Sequence, residues 1–472
     1  MSSPISNPAT METAERRHAR ATGLRRAPAA DAAPDPWAEV PAIIARIPAL
    51  TFKARDFVAT EFGARGDGRT DDQAALQQAI SACADDGGGR VVVPPGDYPT
   101  GPLQLRSRVN LHLCSGATLR FATDSCRYLP PVVTRWEGVE CMGLSPLLYA
   151  HAQSHLAITG SGTLDGQAAP GRWWNWAGPW GGSEPTGWSP EQPDQRTARA
   201  RLQQWAEANV PVPQRVLAPE DLLRPMFVQF YRCRDVLVEG VTFRNSPMWV
   251  VHPVLSRAVT VRGIQVISHG PNNDGCVPDS CREVLVEDCS FDTGDDCVAI
   301  KAGRNRDGWR LNVPAEDIVI RGCRMREGHS AVAIGSEVSG RIRRVFVERC
   351  VADGPRIDHV VRIKANSARG GGVEQIHLRD ITAHEAREAA VLVDLRYDEA
   401  VEHGDRWPEV RALTIDRLVC EHSGRAIWIE GLPETVVRDV RVRASVFRRV
   451  EAANILRNVT DFSAEETAFP LP

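Results

Sequence analysis

The chain has 472 residues, 43% of them hydrophobic and 25% charged, with a formal net charge of −4. That balance argues against wholesale binding to nucleic acid or an anionic membrane, and no apolar run approaches the length of a spanning helix. Twelve cysteines in so long a chain are no disulfide framework, and without one C-x-x-C pair they give no zinc or thioredoxin-like signature.

Met1 to Pro36 is rich in Ala, Pro and Arg and reads as a disordered arm. Its pairs Arg16-Arg17 and Arg25-Arg26 invite comparison with an export signal. Such a signal needs an apolar core of about 7 to 15 residues after the charges, whereas Ala27 to Pro36 is small, acidic and broken by proline. By sequence the chain is therefore expected in the cytoplasm. Val40, Ile43, Ile44 and Ile47 stand at helical spacing, so Trp37 to Leu50 reads as ordered. Residues 1–50 are taken as an N-terminal arm and 51–472 as one large domain.

Asp71 to Cys83 reads as an amphipathic helix with Ala74, Ala75, Ile80 and Ala82 among its apolar positions. Thr70 is the expected N-cap, with Asp71 and Asp72 in the first turn. The stretch from about 167 to 225, rich in tryptophan from Trp173 to Trp205, breaks the strand pattern and reads as an insertion. Its tryptophans would either pack on the domain or stack on sugar faces.

Beyond it, short β-branched segments recur: Val236–Val241, Val259–Ile264, Val284–Cys289, Ile318–Cys323, Val345–Cys350 and Ile376–Ile381, with weaker copies at Leu413–Leu418 and Val436–Val442. Upstream, Val109–Leu113 and Leu156–Gly160 fit the same pattern. Successive spacings are roughly 22 to 37 residues, and each copy shows alternating apolar positions, a polar or Gly bend, then another apolar residue. The fold expected is all-β: a single-stranded parallel β-helix of about ten coils, its N-terminal end capped by the Asp71–Cys83 helix. Cys289, Cys323 and Cys350 share one register and are expected as an inward ladder of thiols rather than disulfides. A propeller would need blades of equal length and a sandwich would need hairpin turns; neither is evident.

The densest chemistry is Asn272-Asn273-Asp274-Gly275 followed by Thr293-Gly294-Asp295-Asp296-Cys297. Asp274 and Asp295 are 21 residues apart, about one coil, which in a β-helix means stacked at roughly the 4.8 Å strand spacing. Three carboxyls on one patch raise at least one pKa, so that one stays protonated while another is ionised. Glycoside cleavage uses such a set, a proton donor for the leaving oxygen and a base for water. Taken singly, Asn-Asp-Gly is an ordinary turn and Gly-Asp-Asp an ordinary corner or calcium motif. The next coils carry Gly328-His329-Ser330 and Arg362-Ile363-Lys364. Strand alternation points Arg362 and Lys364 the same way, a two-cation clamp suited to a carboxylate. Residues 300–370 hold fifteen Arg and Lys against eight Asp and Glu, a locally positive groove. Lysine is otherwise almost absent: Lys53, Lys301 and Lys364 stand among more than fifty arginines.

In this order Asn-Asn-Asp, Gly-Asp-Asp, Gly-His-Ser and Arg-Ile-Lys resemble the four signature segments of the polygalacturonases, the family-28 glycoside hydrolases, in their bacterial exo-acting form. Those signatures are Asn-Thr-Asp, Gly/Gln-Asp-Asp, Gly-His-Gly and Arg-Ile-Lys. Phe62 to Asp72 and Val93 to Tyr98 resemble the N-terminal start of pectin-active β-helices, so the likeness runs from about Phe52 to Ala400. The resemblance implies a right-handed helix and an inverting hydrolase of galacturonosidic bonds in pectin. Asp295 would be the acid, and Asp274 and Asp296 would hold and deprotonate water. His329 would tune the acid or bind sugar. Arg362 and Lys364 would grip the galacturonate carboxylate, with Asn272 and Lys301 as further substrate contacts. No metal or organic cofactor is implied, and family members usually meet pectin outside the cytoplasm. Two departures stand out: Asn273 replaces Thr, and Ser330 replaces Gly, which would crowd the site beside His329. The Trp-rich insertion, with Lys301 to Asn312, would wall off one end of the groove and favour exo cleavage. Three other readings stay open: a rhamnogalacturonan or substituted-galacturonan hydrolase, a calcium-dependent eliminase, and a non-catalytic polysaccharide-binding β-helix.

Overall fold

The structure, a computed structural model, describes residues 35–180, 185–398 and 402–470. Nearly all of the arm expected at residues 1–36, including both Arg-Arg pairs, lies outside them. A strand with apolar residues at every second position can bury only one face, and these strands bury it against copies of themselves. Val236, Val259, Val284, Ile318, Val345, Ile376, Leu413 and Val440 stack partner on partner in one inward column, each at most 1% exposed. The strands belong to a 26-stranded sheet in which every pairing given is parallel. The result is a parallel β-helix, wound right-handed as parallel crossovers are. Cys289, Cys323 and Cys350 are free, buried thiols in register.

On the outside of the coils, arginine meets acid one turn away. Arg257 reaches Glu283 at 2.6 Å, Arg262 reaches Glu287 at 2.5 Å and Arg343 reaches Glu316 at 2.7 Å. In each pair the acid is buried and the arginine lies over it, more exposed, so the arginine serves to satisfy a carboxylate that the winding has taken out of water. Acids outside residues 300–370 absorb part of the basic excess of that stretch, with Arg304 on Glu137, Arg310 on Glu140 and Arg321 on Glu287. The groove is therefore less positive than the sequence count implies.

Helix α1 (Val40–Ala45) packs on the coils at 282–287 and 315–321. Arg46 just after it bonds Glu283 and Asp317, each at 3.0 Å. The capping helix, α2, spans Gln73–Asp85. Asp72, not Thr70, precedes it, and the Asp72 carboxylate holds the backbone N–H of Arg65 and Gly66 instead of capping. Its buried face is Leu76, Ala79, Ile80, Cys83 and Ala84; of the expected apolar positions Ala74 is exposed.

A hairpin that the sequence did not announce, Val132–Trp136 with Val139–Gly143, is antiparallel in this parallel molecule. It lies over the outward face of one sheet. Thr134 bonds Gln229 at 2.8 Å, and Arg135, wholly buried, reaches Asp279 and Ser280 at 2.9 Å. Within the insertion, helix α3 (Arg196–Glu207) presents Ala198, Leu202 and Ala206 to the same apolar cluster as Trp136 and Val139. Beneath them Val277, Ala299 and Ala333 form the covered floor. The row continues through Arg362, Leu392 and Trp428, where Arg362 and Trp428 keep part of their surface exposed. Trp173 and Trp174 pack in the core rather than facing a sugar. Replacing Asp279 with Ala would strand the buried Arg135 cation beneath the hairpin. The variant is expected to lose about 3–5 kcal/mol, seen as a lowered urea midpoint; an unchanged midpoint would show that this pair does not anchor the hairpin.

Candidate active site

Two glycines allow the motif segments to meet. A Cβ on Gly294 would lie 2.5 Å from the His269 carbonyl, so only glycine lets the Asp295 turn press against the preceding coil. Gly328 has φ +153° and its Cβ would lie 2.5 Å from the Asp295 carbonyl oxygen, which accepts the His329 N–H at 3.2 Å. Asn273 is not a substrate group. Its side chain accepts from Ser268 Oγ at 2.6 Å and Gly270 N at 2.8 Å, and donates to the Ser246 and Pro271 carbonyls. A threonine hydroxyl could not span all four. Ser330 does not crowd the site either: strand alternation turns it inward, wholly buried, while His329 faces out.

Asp274, Asp295 and Asp296 come together as the spacing implied. They are 3%, 7% and 0% exposed, and an oxygen of each lies within 4.8 Å of one from each other. Asp274 Oδ1 and Asp296 Oδ1 are buried and have no protein partner. The cations around them divide the charge unequally. Burial, the largest effect, and the facing Asp295 raise the Asp274 pKa well above the usual carboxylate range. Burial would raise Asp295 too, but His329, its Nδ1 at 3.3 Å, outweighs that and holds Asp295 low. Asp296 is likewise held below its usual range against burial, chiefly by Lys364 at 2.9 Å. In return Asp295 lifts His329 to about 9. Trp180 of the insertion stacks on the His329 ring at 6.3 Å and 14°.

The two-cation clamp is only half open. Arg362 and Lys364 do point the same way, both over the Tyr397 ring at 5.1 and 5.3 Å. A buried ammonium must be paired, however, and Lys364 is paired with Asp296. Arg362 is half-buried with Nε lacking a protein partner. It lines, with Gly294, Gly328 and His329, an open trough of about 610 Å³. Lys301, read from sequence as a substrate contact, is buried against Glu337 at 2.9 Å and the Gly335 carbonyl at 3.0 Å. Its charge acts on Asp274. Asn272 offers its side-chain oxygen to buried Arg224 at 2.7 Å.

The comparisons with known proteins decide what this arrangement belongs to. Residues 219–417 match the model of glycosyl hydrolases family 28, and residues 57–112 match that of rhamnogalacturonase A/epimerase, pectate lyase-like. A probable polygalacturonase from Vitis vinifera is 30% identical over 398 residues, 82% of this chain and 72% of that protein. The chain belongs to glycosyl hydrolases family 28. An exo-poly-alpha-D-galacturonosidase from Dickeya chrysanthemi is 27% identical over 365 residues, 72% of this chain and 56% of that protein. A hyperthermoactive exopolygalacturonase from Thermotoga maritima matches in structure with a TM-score of 0.86 at 40% identity, covering 91% of this chain and 95% of that one.

Family 28 membership makes the chain a glycoside hydrolase. Sequence reasoning missed four parts of its site: Arg224, Glu337, Tyr397 and the stacked Trp180. None lies in a repeat register or motif; Trp180 alone carried a signal, as part of the tryptophan cluster. The His329–Asp295 pair makes stability depend on pH. His329 is raised from 6.5 to about 9, so its stabilisation is complete below pH 6.5 and is lost as pH passes through about 9. The difference in Tm between the wild type and His329→Asn should be largest near pH 6 and vanish by about pH 10. A constant difference across that range would contradict the ion pair.

Proposed function

We propose that this family 28 hydrolase removes galacturonate from the ends of galacturonan chains with inversion. The observation that carries the exo reading is the covered floor. Trp136, Val139 and α3 bury the sheet through Val277, Ala299 and Ala333, immediately beside the aspartates. A chain lying in the open trough past His329 and Arg362 therefore has room on one side of the trio only. The printed names of the Dickeya and Thermotoga relatives, both exo-acting, support the same reading.

In the unliganded protein the cluster's proton rests on Asp274, and Asp295 is ionised. A sugar carboxylate against Arg362 and His329 cancels the positive charge that keeps Asp295 low. One proton then moves within the cluster from Asp274 to Asp295. That shift arms Asp295 as the acid for the leaving oxygen, and leaves Asp274 with Asp296 to orient and deprotonate water. Lys364 keeps Asp296 ionised throughout. The carboxylate oxygens, within 4.8 Å, are closer than the roughly 6.5–9.5 Å between carboxyls of most inverting enzymes, so the product, not the spacing, reports the stereochemistry.

NMR of trigalacturonate digestion tests the proposal: saturated galacturonate appears first with its anomeric configuration inverted, and long polygalacturonate yields monomer from the outset. An unsaturated product, or early oligomers of mixed length, would overturn it. Asp274→Asn, Asp295→Asn and Asp296→Asn should each lower kcat by about 10²–10⁴-fold.

A further inference from the structure

Arg224 lies behind the trio with no exposed surface. Among the described residues it makes no ion pair within 4.0 Å, which sets it apart from the buried Arg135 and Arg215, paired with Asp279 and Asp307. Its guanidinium makes four hydrogen bonds, all to neutral oxygens. One Nη donates to the Pro247 carbonyl at 3.0 Å and the Pro271 carbonyl at 2.6 Å, the other to Asn272 Oδ1 at 2.7 Å, and Nε to Gln195 Oε1 at 3.2 Å. Its own carbonyl accepts the Trp136 indole N–H at 3.1 Å. The guanidinium thus ties together the turn after 246, the turn that carries Asp274 and the approach to α3, while the backbone of the same residue holds the covering hairpin. An unpaired buried cation is costly, and a fold keeps one where opposite charge nearby repays it. The anions that act on Arg224 are Glu137, Asp295 and Asp274, opposed by Arg199; burial still brings its pKa down to about 10.

We propose that Arg224 is a positioning residue for the aspartate cluster: it fixes the Pro271–Asn272 turn so that Asp274 faces Asp295, and its charge eases ionisation of Asp274. This rests on the reading of the trio as the acid and base. The groups acting on Asp274 directly are Asp295, Asp296, Lys301 and Lys364. Removing a further cation behind them leaves less positive potential, so Asp274 gives up its proton at higher pH.

The test uses the full chain with trigalacturonate, comparing Arg224→Met and Arg224→Lys across pH. Arg224→Met should lower kcat by about a hundredfold, leave KM within about threefold because Arg362 is untouched, and move to higher pH the alkaline limb of kcat/KM, where Asp274 loses the proton that Asp295 will need. Arg224→Lys keeps the charge but loses the fork, so its limb should stay in place while kcat falls. A folded Arg224→Met protein with an unmoved limb would overturn the electrostatic role. Should Arg224→Met fail to fold, Arg224→Lys decides: a displaced limb or an undiminished kcat overturns the proposal. Asp274→Asn, assayed alongside, separates the two ideas: full activity there would remove the acid–base reading, whatever Arg224 does.

Discussion

Every other feature of this protein depends on the registry of its coils. Side chains alternate across a strand, so a slip of one residue would send a whole inward column to solvent. The column from Val236 to Val440 holds without a slip, and chemistry stacks with it. Irregularity gathers beside the motif segments: the register shifts next to Asp292 and between Met325 and Glu327, and Gly294 and Gly328 admit contacts that no other residue allows. The aspartates and His329 sit where the regular winding is interrupted, on a scaffold too closely packed to let them drift.

Burial then sets the electrostatics. Three carboxyls out of water cannot all ionise, and the surrounding cations decide which do. Lys364 and His329 each hold one aspartate's pKa down, while burial and the facing Asp295 push that of the third, Asp274, up. Those cations are thereby occupied, which leaves mainly Arg362 and the face of His329 on the open trough. Lys301 and Glu337 neutralise one another below, and Arg224 adds a positive charge that no carboxylate contacts. The site is therefore poised by its own ion pairs, and a charged ligand changes the balance simply by arriving.

Much of this was legible in the chain. Val-x-Val segments with a bend after them identified the winding, and the interval between Asp274 and Asp295 translated directly into neighbourhood. Other parts were not legible for physical reasons. The helix start slipped past Thr70 because Asp72 has a better use for its carboxylate, holding the Arg65 and Gly66 amides. Ser330 looked like an intrusion into the site and Asn273 like a plain polar swap, because composition does not say which way a side chain faces. Both turn out to serve the interior. The basic count over residues 300–370 misled for a similar reason, since several of those arginines are matched to acids distant in sequence, such as Arg310 with Glu140 and Arg321 with Glu287.

The sequence by itself determined the β-helix, the order of its chemical segments and the identity of the carboxylates, because periodicity and spacing survive in one dimension when the fold is itself a repeat. Only the tertiary structure decided which aspartate's pKa is pushed up, which acids occupy the lysines, and which part of the sheet is covered. Those outcomes hang on groups far apart in the chain: Lys364 on Asp296, the hairpin at 132–143 over Ala299 and Ala333, and Arg224 between Gln195 and Asn272. No local pattern encodes such meetings, because each exists only once the coils have stacked and the water between them has gone.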